Sequence, residues 1–152
     1  MALRTIILAE DDLLDAELTI HTLKTIPLSN DIIHFEDGQS VLDYLYGTGK
    51  YDGKPAEEPA MLILDLKMPK VDGVEVLRRL KEDKKKKHIP VVMHTSSKEI
   101  KDVIESYGYG ANAYVVKPVD LKQFEEVVST MGLFWAIVNH TQRKFDLPEK
   151  NG

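Results

Sequence analysis

No cysteine occurs among the 152 residues, which excludes disulfides, thiolate metal sites and cysteine nucleophiles and agrees with a reducing compartment. Long hydrophobic runs are missing too: none approaches the roughly 18–20 apolar residues that a bilayer span requires. The N-terminal MALRTIILAEDD turns acidic too early for a secretory signal, so the expectation is a cytoplasmic protein with no membrane partner. Positive charge is in deficit, with a formal net charge of −5, and the chain lacks the electrostatic footprint of a nucleic-acid binder. Its one basic run, KKKK at 84–87, reads as a solvated helix end. Histidine is scarce: His21, His34, His88, His94 and His140 show no ligand spacing and read as structural, with only His94, beside Thr95, placed where it could touch a site. What is present is an ordinary globular composition, 43% hydrophobic and 30% charged, enough for one sizeable core.

Five short apolar runs rich in β-branched residues, LRTIILA (3–9), DIIHF (31–35), AMLIL (60–64), IPVVMH (89–94) and NAYVV (112–116), read as strands. Between and after them lie segments of helical period: 13–26, stopped by Pro27; 39–46, ended by Gly47; 73–83; 98–107; and 121–138. Three of these follow capping boxes, Asp72 with Glu75, Ser96 with Glu99, and Asp120 with Gln123. Nearly continuous apolar strands separated by helices predict a parallel sheet covered on both faces. The economical α/β solution at this length is a flavodoxin-like, doubly wound five-stranded sheet of order 2-1-3-4-5.

In such folds, sites form outside the carboxyl ends of the strands. The first strand exits into Glu10, Asp11 and Asp12, the third into Asp65, the fourth into Thr95, and the fifth into Lys117 and Pro118. Asp12 by itself reads as an N-cap of the next helix, Thr95 as a turn residue and Lys117-Pro118 as an extended dipeptide. With strands one and three adjacent, however, Glu10, Asp11 and Asp65 converge. Carboxylates so close repel unless a cation intervenes, and an all-oxygen set selects a hard ion, magnesium before zinc.

The stretches ILAEDD, LILDLKMPKVDG, VVMHTSS and AYVVKP resemble, in order and separation, the four signatures of the receiver domain of bacterial two-component response regulators. The resemblance covers roughly 1–130 and implies Asp65 as the phospho-accepting aspartate, fed by a sensor histidine kinase. It implies a magnesium site with Asp11 as direct ligand alongside Asp65, Glu10 acting through water, and the Lys67 backbone carbonyl as a further ligand. Thr95 and Tyr114 resemble the switch pair, and Lys117 the phosphate-contacting lysine with a cis bond to Pro118. The chemistry is self-consistent: a carboxylate nucleophile needs no general base at neutral pH, only charge to offset its own and the donor's. The expectation is a signalling protein rather than an enzyme, one that assists its own phosphotransfer and dephosphorylation.

The stretch GTGKYDGKPAEEP (47–59) is longer than a usual connection. Together with the Phe134-Trp135 pair late in the last helix, it resembles single-domain regulators that pair with bacterial phytochrome histidine kinases. The expected receiver domain is 1–138, and 139–152 is too short to fold as an output domain. In the last helix Leu121, Phe124, Val128, Met131 and Trp135 form a core stripe. Residues 133–138 are apolar in succession, which predicts a homodimer anchored by Phe134 and Trp135. Two rival classes fit less well. A metal-dependent phosphatase of the haloacid dehalogenase type wants an acid where Lys67 stands, and a flavin-binding flavodoxin wants a phosphate loop where AEDDLLD would repel the phosphate.

Overall fold

The computed structural model describes residues 4–25, 30–118, 120–130 and 132. Five strands, β1 (Ile6–Ala9), β2 (Ile32–Phe35), β3 (Met61–Leu64), β4 (Val91–Thr95) and β5 (Ala113–Val116), form one sheet of order β2-β1-β3-β4-β5. All four pairings are parallel. The helices α1 (Leu13–Thr25), α2 (Gly38–Tyr46), α3 (Gly73–Glu82) and α4 (Ile100–Gly108) fill the crossovers, and α5, helical over 121–130, follows β5. The expected order and element sequence are thus present, with each strand one to three residues shorter at its start than its apolar run suggests. No helix among the described residues is long and apolar enough to cross a membrane.

Strand alternation divides the core between two faces. On one, Ile7, Leu62, Leu64, Val91 and Met93 pack with Val41 and Leu45 of α2 and Val76, Leu77 and Leu80 of α3. On the other, Ile6, Leu8, Ile63 and Val92 pack with Ala16 and Leu23 of α1 and Phe124 and Val128 of α5. Burial on both sides of the sheet explains why the strands read as unbroken apolar runs.

Local chemistry sets the helix starts. Asp12 accepts from Asp15 N at 3.0 Å, Asp37 from Ser40 N at 2.7 Å, Asp72 from Glu75 N at 2.9 Å and Asp120 from Gln123 N at 3.0 Å. Each satisfies an orphan donor of a first turn. The box expected at Ser96 and Glu99 does not form. Helix α4 begins after Glu99, whose side chain makes no cap. The loop is held instead by Ser97, whose hydroxyl donates to the buried Asp102 carboxylate at 2.5 Å.

Other expectations are corrected. Leu121 is 55% exposed: its position on α5 turns away from the face that buries Phe124 and Val128, so the core stripe starts one turn later. The KKKK run lies beyond α3, which closes where Asp83 N donates to Leu80 O. Asp83 then opens a separate turn by accepting from Lys85 N at 2.8 Å. No cis peptide bond occurs among the described residues, so Lys117–Pro118 is trans, the form favoured even before proline by about 0.5–1 kcal/mol. Pro27, Met131, Phe134, Trp135 and His140 lie outside the described residues.

The 47–59 connection begins with Gly47 in the left-handed region, φ 68°, and includes a single turn of 3-10 helix over Gly49–Tyr51. Tyr51 meets the Tyr44 ring edge-on at 5.2 Å, Ala56 N donates to Tyr44 O, and Glu58 pairs with His88 at 2.6 Å. Running from the end of α2 to the start of β3, it lies at the amino edge of the sheet.

Candidate functional site

At the carboxyl edge of the sheet, the exits of β1, β3, β4 and β5 face a cleft of about 590 Å³. Its lining includes Asp11, Asp12, Asp15, Asp65, Lys67, Thr95 and Lys117. Glu10 lies beneath, only 2% exposed. The strand register brings these groups together: Ala9 pairs with Leu64 and Thr95 with Val116, so the residues just beyond each strand end come level.

Lys117 is the hub. Its Nζ donates to Asp65 Oδ2 at 2.9 Å, to Asp15 Oδ2 at 3.0 Å and to Glu10 Oε1. Lysine has three N–H donors, and each finds a carboxylate. One oxygen each from Glu10, Asp11 and Asp65 lie within 4.8 Å of one another. That all-carboxylate set has the donor chemistry of a hard divalent cation.

Electrostatics divides the acids. Burial and the contact with Asp65 push the Glu10 carboxyl up, against the pull of Lys117. For Asp65, burial works against ionisation, but the hydrogen bond with Glu10, the charge of Lys117 and the Thr95 hydroxyl outweigh it, and its pKa is lowered. Asp65 is therefore held ionised although only 9% exposed. Burial alone would lower the Lys117 pKa, yet its carboxylate partners raise it, so the ammonium stays charged.

The backbone around Asp65 is fixed by close approach. A Cβ on Gly73 would sit 1.9 Å from the Asp65 carbonyl oxygen, and one on Gly38 would sit 2.0 Å from the Val71 carbonyl oxygen. Only glycine allows α2 and α3 to clasp the loop leaving β3, and Gly73 N seals it by donating to Leu66 O at 2.7 Å.

Thr95 is buried, and its hydroxyl accepts from Ser97 N at 3.4 Å. Tyr114 is half-buried on β5 and donates its hydroxyl to Ser97 O, on the cleft lining, at 3.0 Å. His94 Nε2 finds no hydrogen-bond partner among the described residues. Its ring packs beneath the site, 5.3 Å from the Phe124 ring. His34, read as structural, holds the Glu10 carbonyl through Nε2 at 2.7 Å. Sequence reasoning missed Asp15, whose sole signal was an acid one turn past the β1 exit, and Ser97 with Asp102, a serine and an acid five residues apart.

The sequence pattern of the response regulator receiver domain matches residues 6–129, and the chain belongs to that family. Response regulator Rcp1 of Synechocystis sp. is 36% identical over 132 residues, 87% of this chain and 88% of that protein; a crystal structure of Mn2+-bound Rcp1 matches with a TM-score of 0.81, covering 87% of this chain and 94% of that one. The phosphorylated cyanobacterial phytochrome response regulator RcpA matches with a TM-score of 0.83 at 33% identity, over 89% of this chain and 95% of that one. The bacteriophytochrome response regulator AtBRR matches at 47% identity with a TM-score of 0.71, over 89% and 96%. The protein is thus a signalling domain related to the phytochrome response regulators.

Proposed function

We propose that the protein accepts a phosphoryl group on Asp65 from a phosphohistidine of a sensor histidine kinase of the phytochrome type. The observation that carries this reading is the Asp65 carboxylate at the floor of the cleft, bonded to Lys117 at 2.9 Å and flanked by Glu10 and Asp11. Asp65 attacks phosphorus, the P–N bond to the donor imidazole breaks as the P–O bond to the aspartate forms, and the imidazole takes up a proton. Because Asp65 is already deprotonated, no base is required.

Asp11 and Asp65, with the Lys67 carbonyl and with Glu10 through water, would hold Mg2+, a fit supported by the oxygen-only donor set and by a relative described with Mn2+. Bound there, the ion would neutralise charge on the phosphoryl oxygens. Lys117 contributes the protein's own fixed positive charge and orients Asp65 through the bond to Oδ2. Thr95, already within hydrogen-bonding influence of Asp65, is drawn to the new phosphoryl oxygens. Its hydroxyl then leaves Ser97, and Tyr114, bonded to the same loop, follows. From the sequence alone, the apolar run 133–138 supports a homodimer with Phe134 and Trp135 as its anchors.

The test is intact-protein mass spectrometry after exposure to acetyl phosphate, with and without Mg2+. Phosphorylation should require the ion, map to Asp65 and disappear in Asp65→Asn. An equal mass gain in that variant, at another residue, would refute the assignment.

A further inference from the structure

The site holds a further carboxylate, bonded to Lys117, with no part in the scheme above. Asp15, on the first turn of α1, places Oδ2 3.0 Å from Lys117 Nζ and lines the same cleft. Together with Glu10 and Asp65 it takes up the three donors of the ammonium. The three acceptors are unequal: the side chains of Glu10 and Asp65 are 3% and 11% exposed, that of Asp15 28%. A carboxylate open to water loses least when its bond is broken, because water replaces the lost donor. A phosphoryl group on Asp65 brings new oxygens that need Lys117, and one existing partner has to yield.

We propose that Asp15 is the exchangeable partner of Lys117, a positioning residue that draws the ammonium toward α1 until a phosphoryl group arrives and whose charge divides the cleft's attraction between cation and phosphodonor. The proposal rests on Asp65 being the acceptor. One negative charge at this place attracts a divalent cation and repels an anionic phosphodonor. It also shares out a Lys117 charge that would otherwise fall on Glu10 and Asp65, the carboxylates available to the ion. Neutralising Asp15 at constant shape therefore moves two measurable quantities in opposite directions: cation binding weakens, and phosphorylation with the cation site filled accelerates. A role confined to supporting α1 or the Lys117 side chain would depress both.

The experiment compares wild type, Asp15→Asn and Asp15→Glu as full chains. Mg2+ affinity is measured by calorimetry without any phosphodonor, and the rate of Asp65 phosphorylation by acetyl phosphate is measured by mass spectrometry at saturating Mg2+. Asp15→Asn should bind Mg2+ about three- to tenfold more weakly and phosphorylate about three- to tenfold faster, the size expected of one charge acting through a partly aqueous path. Asp15→Glu, which keeps the charge, should lie near wild type in both, and added salt should shrink the Asn effects. Losses in both quantities, or neither changing by twofold, would overturn the proposal. A wild type that gains no phosphoryl group at Asp65 would instead overturn the functional reading on which it rests. A phosphorylated wild type with an indifferent Asp15→Asn removes only the role of Asp15.

Discussion

Replacing His94 by phenylalanine should flatten the acid side of the protein's stability curve. His94 sits on β4 with its ring against Phe124, 2% exposed, and its Nε2 has no hydrogen-bond partner among the described residues. Burial, followed by the charge of Lys117, lowers its pKa from 6.5 to about 4, with Asp65 acting the other way. Between those values the unfolded chain takes a proton on this imidazole and the folded chain refuses it, so stability falls as pH drops through the window. At about 1.4 kcal/mol per pH unit, the interval from 6.5 to about 4 makes the full penalty about 3.5 kcal/mol, of which about 2 kcal/mol is felt near pH 5. Glu10 acts in the opposite sense. Its raised carboxyl keeps a proton that the unfolded chain gives up, a contribution present at low pH and lost as pH rises through the folded value. The diagnostic quantity is therefore the difference between wild type and His94→Phe in urea melts at about pH 7.5 and about pH 5, in chelator. That difference should change by about 2 kcal/mol in favour of the variant on acidification. Stability curves parallel to within about 0.5 kcal/mol would show that the imidazole is not held neutral by burial.

Three further outcomes are expected, the first two from the geometry and the third from the apolar run of the sequence at 133–138. Gly73→Ala should lose about 3 kcal/mol in a urea melt, because the new methyl meets backbone rather than a flexible side chain; a loss under about 1 kcal/mol would mean that the loop after Asp65 yields freely. Thr95→Ala should still be phosphorylated on Asp65 but lose the phosphorylation-dependent NMR shifts at Tyr114, and identical shifts in both proteins would remove Thr95 from the switch. Phe134→Glu should convert a dimer to a folded monomer by light scattering at micromolar concentration, an interface aromatic contributing about 2 kcal/mol or more; a wild type already monomeric there would end the dimer assignment.

The sheet was readable because strands buried on both faces leave an unmistakable record, continuous apolar runs ended by polar residues, and because crossover rules leave few topologies to choose among. The same logic exposed Asp65 and Lys117: each breaks the pattern where a strand runs out. Asp15 left no such mark. It lies inside a helix, where an acid in the first turn is ordinary, and what makes it unusual is that β5, about a hundred residues away in sequence, ends beside it. Ser96 was mistaken for a cap because the box pattern is local. In the fold, Ser97 finds a better partner in Asp102, which the burial of α4 has turned inward. Leu121 failed for a related reason: periodicity marks a stripe on a helix but not where along it contact with the sheet begins.

The 47–59 connection, tied down through Tyr51, Ala56 and Glu58, has a geometric consequence. Helix α2 carries the chain back from the edge where the chemistry lies, a run of nine residues, or about 13 Å at 1.5 Å per residue. The molecule therefore has a working end and a handle. A body that grips the handle can stay attached while donors arrive at and leave the other end, and lengthening the handle costs little, since each doubling of a flexible loop adds only about 0.6 kcal/mol of closure entropy. A reporter domain spliced between Gly53 and Lys54 would travel with the protein without shading the acceptor.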